Sequence, residues 1–315
     1  MRPFVFSPMR IDLVLLGLAL VAAQLSADGQ ETDVHAVRLL SNTTPVDVII
    51  VAHADDWQVF MSDAVVERIK SGHRPVFIYL TAGDDGRENA YWRQRETAAL
   101  QSSLIAIGAA STLTSACDTA RIRGHAIRRC TAGQATSYFL RLPDGNRDGT
   151  GFVRNQFASL RKLRSARIAG IRAVDSSARY SSWQDLAATL SALVRTLADS
   201  ASTPRITLHT TDPSVRVNPH DHYDHRVAGK LVESLLNAND WTGRYYVGYA
   251  LATRAANRTP VQRQEKLSVF SAYDREMIRV NPMWSAYREH PAFYAACMQR
   301  TYARTAPRLA ARSRQ

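Results

Sequence analysis

Residues 46–52 read VDVIIVA, a nearly unbroken β-branched apolar run. A strand with one face in water alternates apolar and polar side chains, so a run without that alternation belongs to a strand covered on both faces. Residues 75–81 (PVFIYLT) repeat the pattern, and 138–142, 205–210 (RITLHT) and 245–251 read as further strands. Between them lie helical stretches at 64–70, 89–107, 183–197 and 227–236, the first stopped by Ser71 and Gly72. Residues 109–155 read as irregular or short-stranded, with 138–142 as the strand among them. Strand–helix alternation of this kind predicts a doubly wound, mostly parallel sheet with helices on both faces.

No GxGxxG follows any of these strands, so the architecture is Rossmann-like without the dinucleotide fingerprint. Ligands of such sheets gather beyond the carboxyl ends of the strands. Apolar residues make up 45% and charged residues 22% of the 315, which excludes a disordered chain, a collagen and a multi-span membrane protein. The formal net charge is +12, and all but four of the 40 basic residues are arginine. The arginines are scattered, and their densest runs (121–129, 161–167, 304–314) carry few aromatics, so no nucleic-acid partner is expected.

The N-terminus reads as an export address. Arg2 and Arg10 precede the apolar run LVLLGLALVAA at 13–23, which is too short to span a bilayer and suits the core of a signal peptide. Cleavage is expected after Ala23 or Ala27, releasing a periplasmic or secreted chain with no stable membrane span. The expected organisation is a signal peptide at 1–27, a linker at 28–45, a main domain at 46–252, and a C-terminal helical segment with a basic tail at 253–315. Export puts Cys117 and Cys130 in an oxidising compartment, where the polar loop between them is a candidate for a disulfide staple; unpaired thiols are the other reading. No CxxC or cysteine-rich zinc spacing is present.

Two His/Asp clusters fall where ligands should gather. His53, Asp55, Asp56 and Trp57 follow the first strand; His220, Asp221, His222, Asp224 and His225 follow the strand at 205–210 and lead into a helix. Two imidazoles and one carboxylate, with a position left for water, form a donor set of catalytic zinc, whereas hard cations take more oxygen. A solvated histidine loop is the alternative.

Residues 52–57 (AHADDW) resemble the AHPDDE motif of the LmbE-like deacetylases, the N-acetylglucosaminyl-phosphatidylinositol de-N-acetylase (PIG-L) family. Residues 222–225 (HYDH) resemble its HPDH motif, with Gly229 at the usual distance downstream. Thr81-Ala82-Gly83 resembles its T-x-G, and Arg93 with Glu96 its R-x-x-E. The resemblance covers about residues 46–250, with the motifs in the family's order. It implies one zinc ion held by His53, Asp56 and His225. It also implies Asp55 as general base toward metal-bound water, His222 supporting the tetrahedral intermediate or protonating the leaving amine, and Arg93 at the substrate. The activity implied is hydrolysis of an N-acetyl (N-acyl) amide on a small amino sugar or glycoconjugate. A metallohydrolase of another amide or an ester, or a non-catalytic sugar-binding protein, are the rivals.

The departures from the family pattern are Ala54 and Tyr223 in place of prolines and Trp57 in place of an acid. Trp57 reads either as packing beneath the site or as an aromatic wall for a sugar. His220, where some relatives place tyrosine, is a candidate substrate contact or a solvated loop residue. Asp85 ends the second strand at the same sheet edge and is a further candidate contact. Asp144, Asn146 and Asp148 match the start of a calcium loop, but its twelfth position is Asn155, so a turn-rich loop is the better reading; residues 138–152 resemble a feature of exported bacterial members of the family, which implies that they line the substrate cleft. His209 reads as a core residue, and His35, His73, His125 and His290 as without chemistry.

Overall fold

The structure, a computed structural model, describes residues 44–109, 113–197 and 205–306. The expected signal peptide, nearly all of the expected linker and residues 307–315 of the basic tail lie outside the described residues. In chain order the elements are β1 (Val46–Val51), α1 (Asp56–Phe60), α2 (Ser62–Lys70), β2 (Arg74–Thr81), α3 (Asn89–Ala106), β3 (Ala116–Ile122), β4 (His125–Ala132) and β5 (Ala135–Leu142). Then come α4 (Leu160–Arg164), a small ribbon of β6 (Ile171–Arg172) and β7 (Arg179–Tyr180), α5 (Trp183–Arg195), β8 (Ile206–Thr211), α6 (Tyr223–Ala238) and β9 (Thr242–Tyr246). The chain closes with α7 (Pro260–Val280), α8 (Ala286–Glu289), α9 (Pro291–Met298) and β10 (Ala303–Thr305).

Among the described residues the main sheet has eight strands in the order β10-β9-β8-β1-β2-β5-β4-β3. The five from β9 to β5 are parallel; β10 pairs antiparallel on one edge, and on the other β4 pairs antiparallel with both β5 and β3. The alternation along β1 shows why the apolar run was needed. Val46, Val48 and Ile50 enter a core with α5 and α6, while Ile49 and Val51 enter a second core with α1, α2, α7 and α9. Both faces are covered, so neither can carry a polar row.

One reading of the sequence is narrowed and another corrected. The stretch at 116–132, irregular or short-stranded by sequence, is an ordered hairpin, its partner residues Cys117 and Cys130 joined by a disulfide. Edge residues 117–119 are exposed, which removes the periodic apolar signal. The last parallel strand is Thr242–Tyr246 and not 245–251; the chain turns at Gly248 into a 3-10 helix at Tyr249–Thr253. No helix among the described residues is long and apolar enough to cross a membrane.

At the amino ends of the strands Asp47 is 2% exposed. Arg68 donates to both its oxygens at 2.5 and 2.7 Å, and His209 Nε2 lies 3.2 Å away. Burial alone would push this carboxyl up, but His209 and Arg68 outweigh burial and hold it at about 2. A carboxyl whose folded pKa lies below its unfolded value stabilises the fold fully above the unfolded value, and that contribution fades as pH falls. The drop from 3.8 to about 2 is worth about 2 kcal/mol, lost between roughly pH 4 and pH 2. Urea unfolding across that range should show a steeper loss of stability in the parent chain than in Asp47→Asn; equal slopes would refute the assignment. Thiol counting in denaturant without reductant should find Cys297 alone reactive in protein made in an oxidising compartment; three reactive thiols would exclude the bridge.

Candidate active site

Chain order along the sheet reverses between β1 and β8: from β1 the chain proceeds outward through β2 to β5, then returns to add β8 and β9 on the other side. The carboxyl ends of strands on either side of such a reversal splay apart and leave a crevice. His53 sits just past β1, and the loop after β8 delivers His222 as the N-cap of α6 and His225 in its first turn. Gly229 lets α6 approach: a Cβ there would stand 2.4 Å from the Thr211 carbonyl oxygen.

Three atoms meet in the crevice. His53 Nδ1, Asp56 Oδ1 and His225 Nε2 form a triangle with edges of 3.4, 3.0 and 3.2 Å. Ligands about 2.0–2.1 Å from a tetrahedral zinc stand about 3.3 Å apart, so this triangle has the dimensions of one face of such a tetrahedron. Each member is oriented from behind. The His53 backbone N–H donates to Asp56 Oδ2 at 2.8 Å, which turns Oδ1 to the imidazoles. His225 donates from Nδ1 to Asp221 Oδ1 at 2.9 Å, which leaves the Nε2 lone pair facing the triangle. Burial would keep both imidazoles neutral, yet Asp56 overrides it, raising His53 well above its usual value and His225 to about 10. The cluster favours positive charge, which a bound divalent cation would supply in place of these protons.

Around the triangle stand groups with other tasks. Asp55, the N-cap of α1, is ion-paired through Oδ1 with Nη2 of Arg95, whose Nη1 donates to the Gly83 carbonyl at 2.9 Å. His222 accepts the Asp224 backbone N–H on Nδ1 at 3.1 Å, so its Nε2 is free to carry a proton. Burial and the positive charge at His53 push His222 down to about 4, so the imidazole is neutral. Asp144 faces both His53 Nε2 (3.6 Å) and His222 Nε2 (3.8 Å), and Asp224 faces His53 Nε2 at 3.7 Å. The cluster opens into a cleft of about 680 Å³.

Residues 48–236 match the family described as GlcNAc-PI de-N-acetylase, PIG-L. The chain belongs to the PIG-L family. No sequence among curated proteins matches it significantly. Similar solved structures include N,N'-diacetylchitobiose deacetylase from Pyrococcus horikoshii (13% identity, 84% of each chain, TM-score 0.46). They also include a zinc-inhibited teicoplanin deacetylase (10%, 75% of this chain and 86% of that one, 0.41) and 4-carboxy-2-hydroxymuconate hydratase from Pseudomonas putida KT2440 (12%, 78% and 89%, 0.39).

Within this PIG-L chain the expected site residues do not all converge. His53, Asp55, Asp56 and His222 line the cleft, with His225 packed directly behind them; Asp85 and His220 are exposed at its rim. Arg93 does not reach it. It projects from the outer face of α3, its guanidinium 5.2 Å over Trp92, while Arg95, two residues on, points inward. Trp57 is a core residue and not a sugar wall: it is fully buried, tilted against Phe77 at 4.6 Å and donating to Tyr79 Oη at 3.0 Å. Arg95 was missed as a site residue, and Asp144 was placed in the cleft loop without a role at the histidines. A helical wheel sets Arg95 on the inner face with Trp92 and Ala99, and Asp144 follows β5 at the same sheet edge as the two motifs.

Zinc titration of the metal-free PIG-L chain should saturate at one equivalent. Asp221→Asn should weaken that affinity about 10–100-fold, because it removes the partner that orients His225 while leaving every triangle atom in place. Unchanged affinity would mean that His225 is not a ligand.

Proposed function

We propose that the protein is a zinc-dependent deacetylase that hydrolyses the N-acetyl amide of an amino sugar or glycoconjugate. The observation that supports this most is the triangle of His53 Nδ1, Asp56 Oδ1 and His225 Nε2 beside the Arg95-held carboxylate of Asp55 in a PIG-L chain. One zinc ion held by these three residues would polarise the amide carbonyl and acidify water.

The protein's own groups carry the protons. Asp55 accepts one from the attacking water, and Arg95 fixes its orientation by holding one carboxylate oxygen. The neutral His222 donates a hydrogen bond from Nε2–H to the oxygen that gains charge as the carbonyl becomes tetrahedral, and the proton taken up by Asp55 passes to the departing amine. Asp144 and Asp224, which face the His53 and His222 rings, orient them. The Cys117–Cys130 bridge supports an exported location for the chain, in an oxidising compartment.

Acetate release from acetylated amino sugars is the test. Release should require a metal, stop with chelator and return with zinc. Asp55→Asn should lower kcat about 10²–10⁴-fold with zinc content unchanged. No release from any acetylated sugar, alongside hydrolysis of esters or other amides, would overturn the substrate assignment. Arg95→Met should lower kcat at least tenfold with little change in KM, since it acts through Asp55; a loss confined to KM would make Arg95 a substrate contact instead.

A further inference from the structure

We propose that the C-terminal segment forms a second sugar subsite, in which a pyranose ring joined to the amide-bearing one stacks on Trp284 and Phe293. The inference rests on the deacetylase reading for the sugar at the reaction centre. The family match ends at residue 236, yet one side of the cleft is made by Tyr249, Tyr273, Met277, Trp284, Phe293 and Tyr294. This wall starts at the metal cluster: the Tyr249 ring stands edge-on to His225 at 5.1 Å, and its backbone N–H donates to Asp221 at 3.2 Å. Phe293 meets Tyr249 edge to face at 5.5 Å, and Trp284 in the same cleft is braced the same way by Tyr91 at 5.3 Å.

Two properties select a sugar. Rings braced edge to face are already fixed, so a flat C–H face can stack on them with little further ordering cost. The same cleft also carries polar groups, among them Asp85, Asn146, His220 and Glu289, with the Arg147 guanidinium 5.8 Å from the Tyr249 ring. A long acyl chain would desolvate these groups without pairing them, which is unfavourable. A pyranose offers an apolar face to the wall and hydroxyls to these polar groups, and the volume of about 680 Å³ exceeds the need of one acetylated sugar.

Calorimetry on the full chain, stripped of metal to prevent turnover, tests this with β-1,4-linked N-acetylglucosamine as mono-, di- and trisaccharide. The disaccharide should bind about 5–10-fold tighter than the monosaccharide. Trp284→Ala and Phe293→Ala should erase that gain and leave monosaccharide affinity unchanged, while Trp284→Phe, which keeps a ring, should retain most of it. Equal affinity for one and two rings, or a gain that survives both alanine variants, would overturn the subsite. Length-dependent affinity without acetate release would overturn the deacetylase reading and keep the subsite. Acetate release with no length dependence would do the reverse.

Discussion

The carboxylate of Asp56 is 4% exposed and lies between two imidazoles that reach it from stretches of chain 172 residues apart. An unpaired charge in that position would be prohibitive. Asp144, Asp221 and Asp224 are also buried around the same rings, so the cluster holds more acid than its histidines balance when neutral. Protons on His53 and His225 relieve the imbalance, and a divalent ion relieves it without leaving Asp56 to share two cationic rings. The remaining features of the crevice follow from keeping this cluster assembled.

The sheet does that work. Parallel strands deliver their carboxyl ends to one edge, and the reversal of order between β1 and β8 opens space there for two loops to meet. The glycines fix the approach. Gly145 brings its backbone N–H to Asp224 at 2.7 Å, and a Cβ there would stand 2.5 Å from the same carboxylate. Asp224 is thereby anchored from the β5 loop while it faces His53 from α6. The site is thus tied to three strands, and the cleft wall from α7 to α9 adds contacts that the core domain does not supply.

Much of this was legible in the chain, for identifiable reasons. β1 and β2 declare themselves because burial on both faces suppresses alternation, and the two His/Asp motifs are compact in sequence. The β3–β4 hairpin was not legible, because its outer strand is largely exposed and has no apolar face to read. Motif spacing pointed to Arg93, whereas helical geometry turns Arg95 inward, since two positions on a helix are about 200° apart. Trp57 could have faced either way; α1 begins so close to the end of β1 that its ring enters the core beside Phe77. The aromatic wall was hidden by distance: Trp284 and Phe293 lie far from both motifs, and only tertiary packing brings them to the cleft.

His53 offers two nitrogens to two different settings, with Nδ1 toward Asp56 and His225 and Nε2 toward Asp144 and Asp224. Anomalous X-ray diffraction from crystals grown with zinc distinguishes them. The account predicts one peak about 2.0–2.1 Å from His53 Nδ1, Asp56 Oδ1 and His225 Nε2. A peak bound to His53 Nε2 between Asp144 and Asp224, with the triangle vacant, would contradict it.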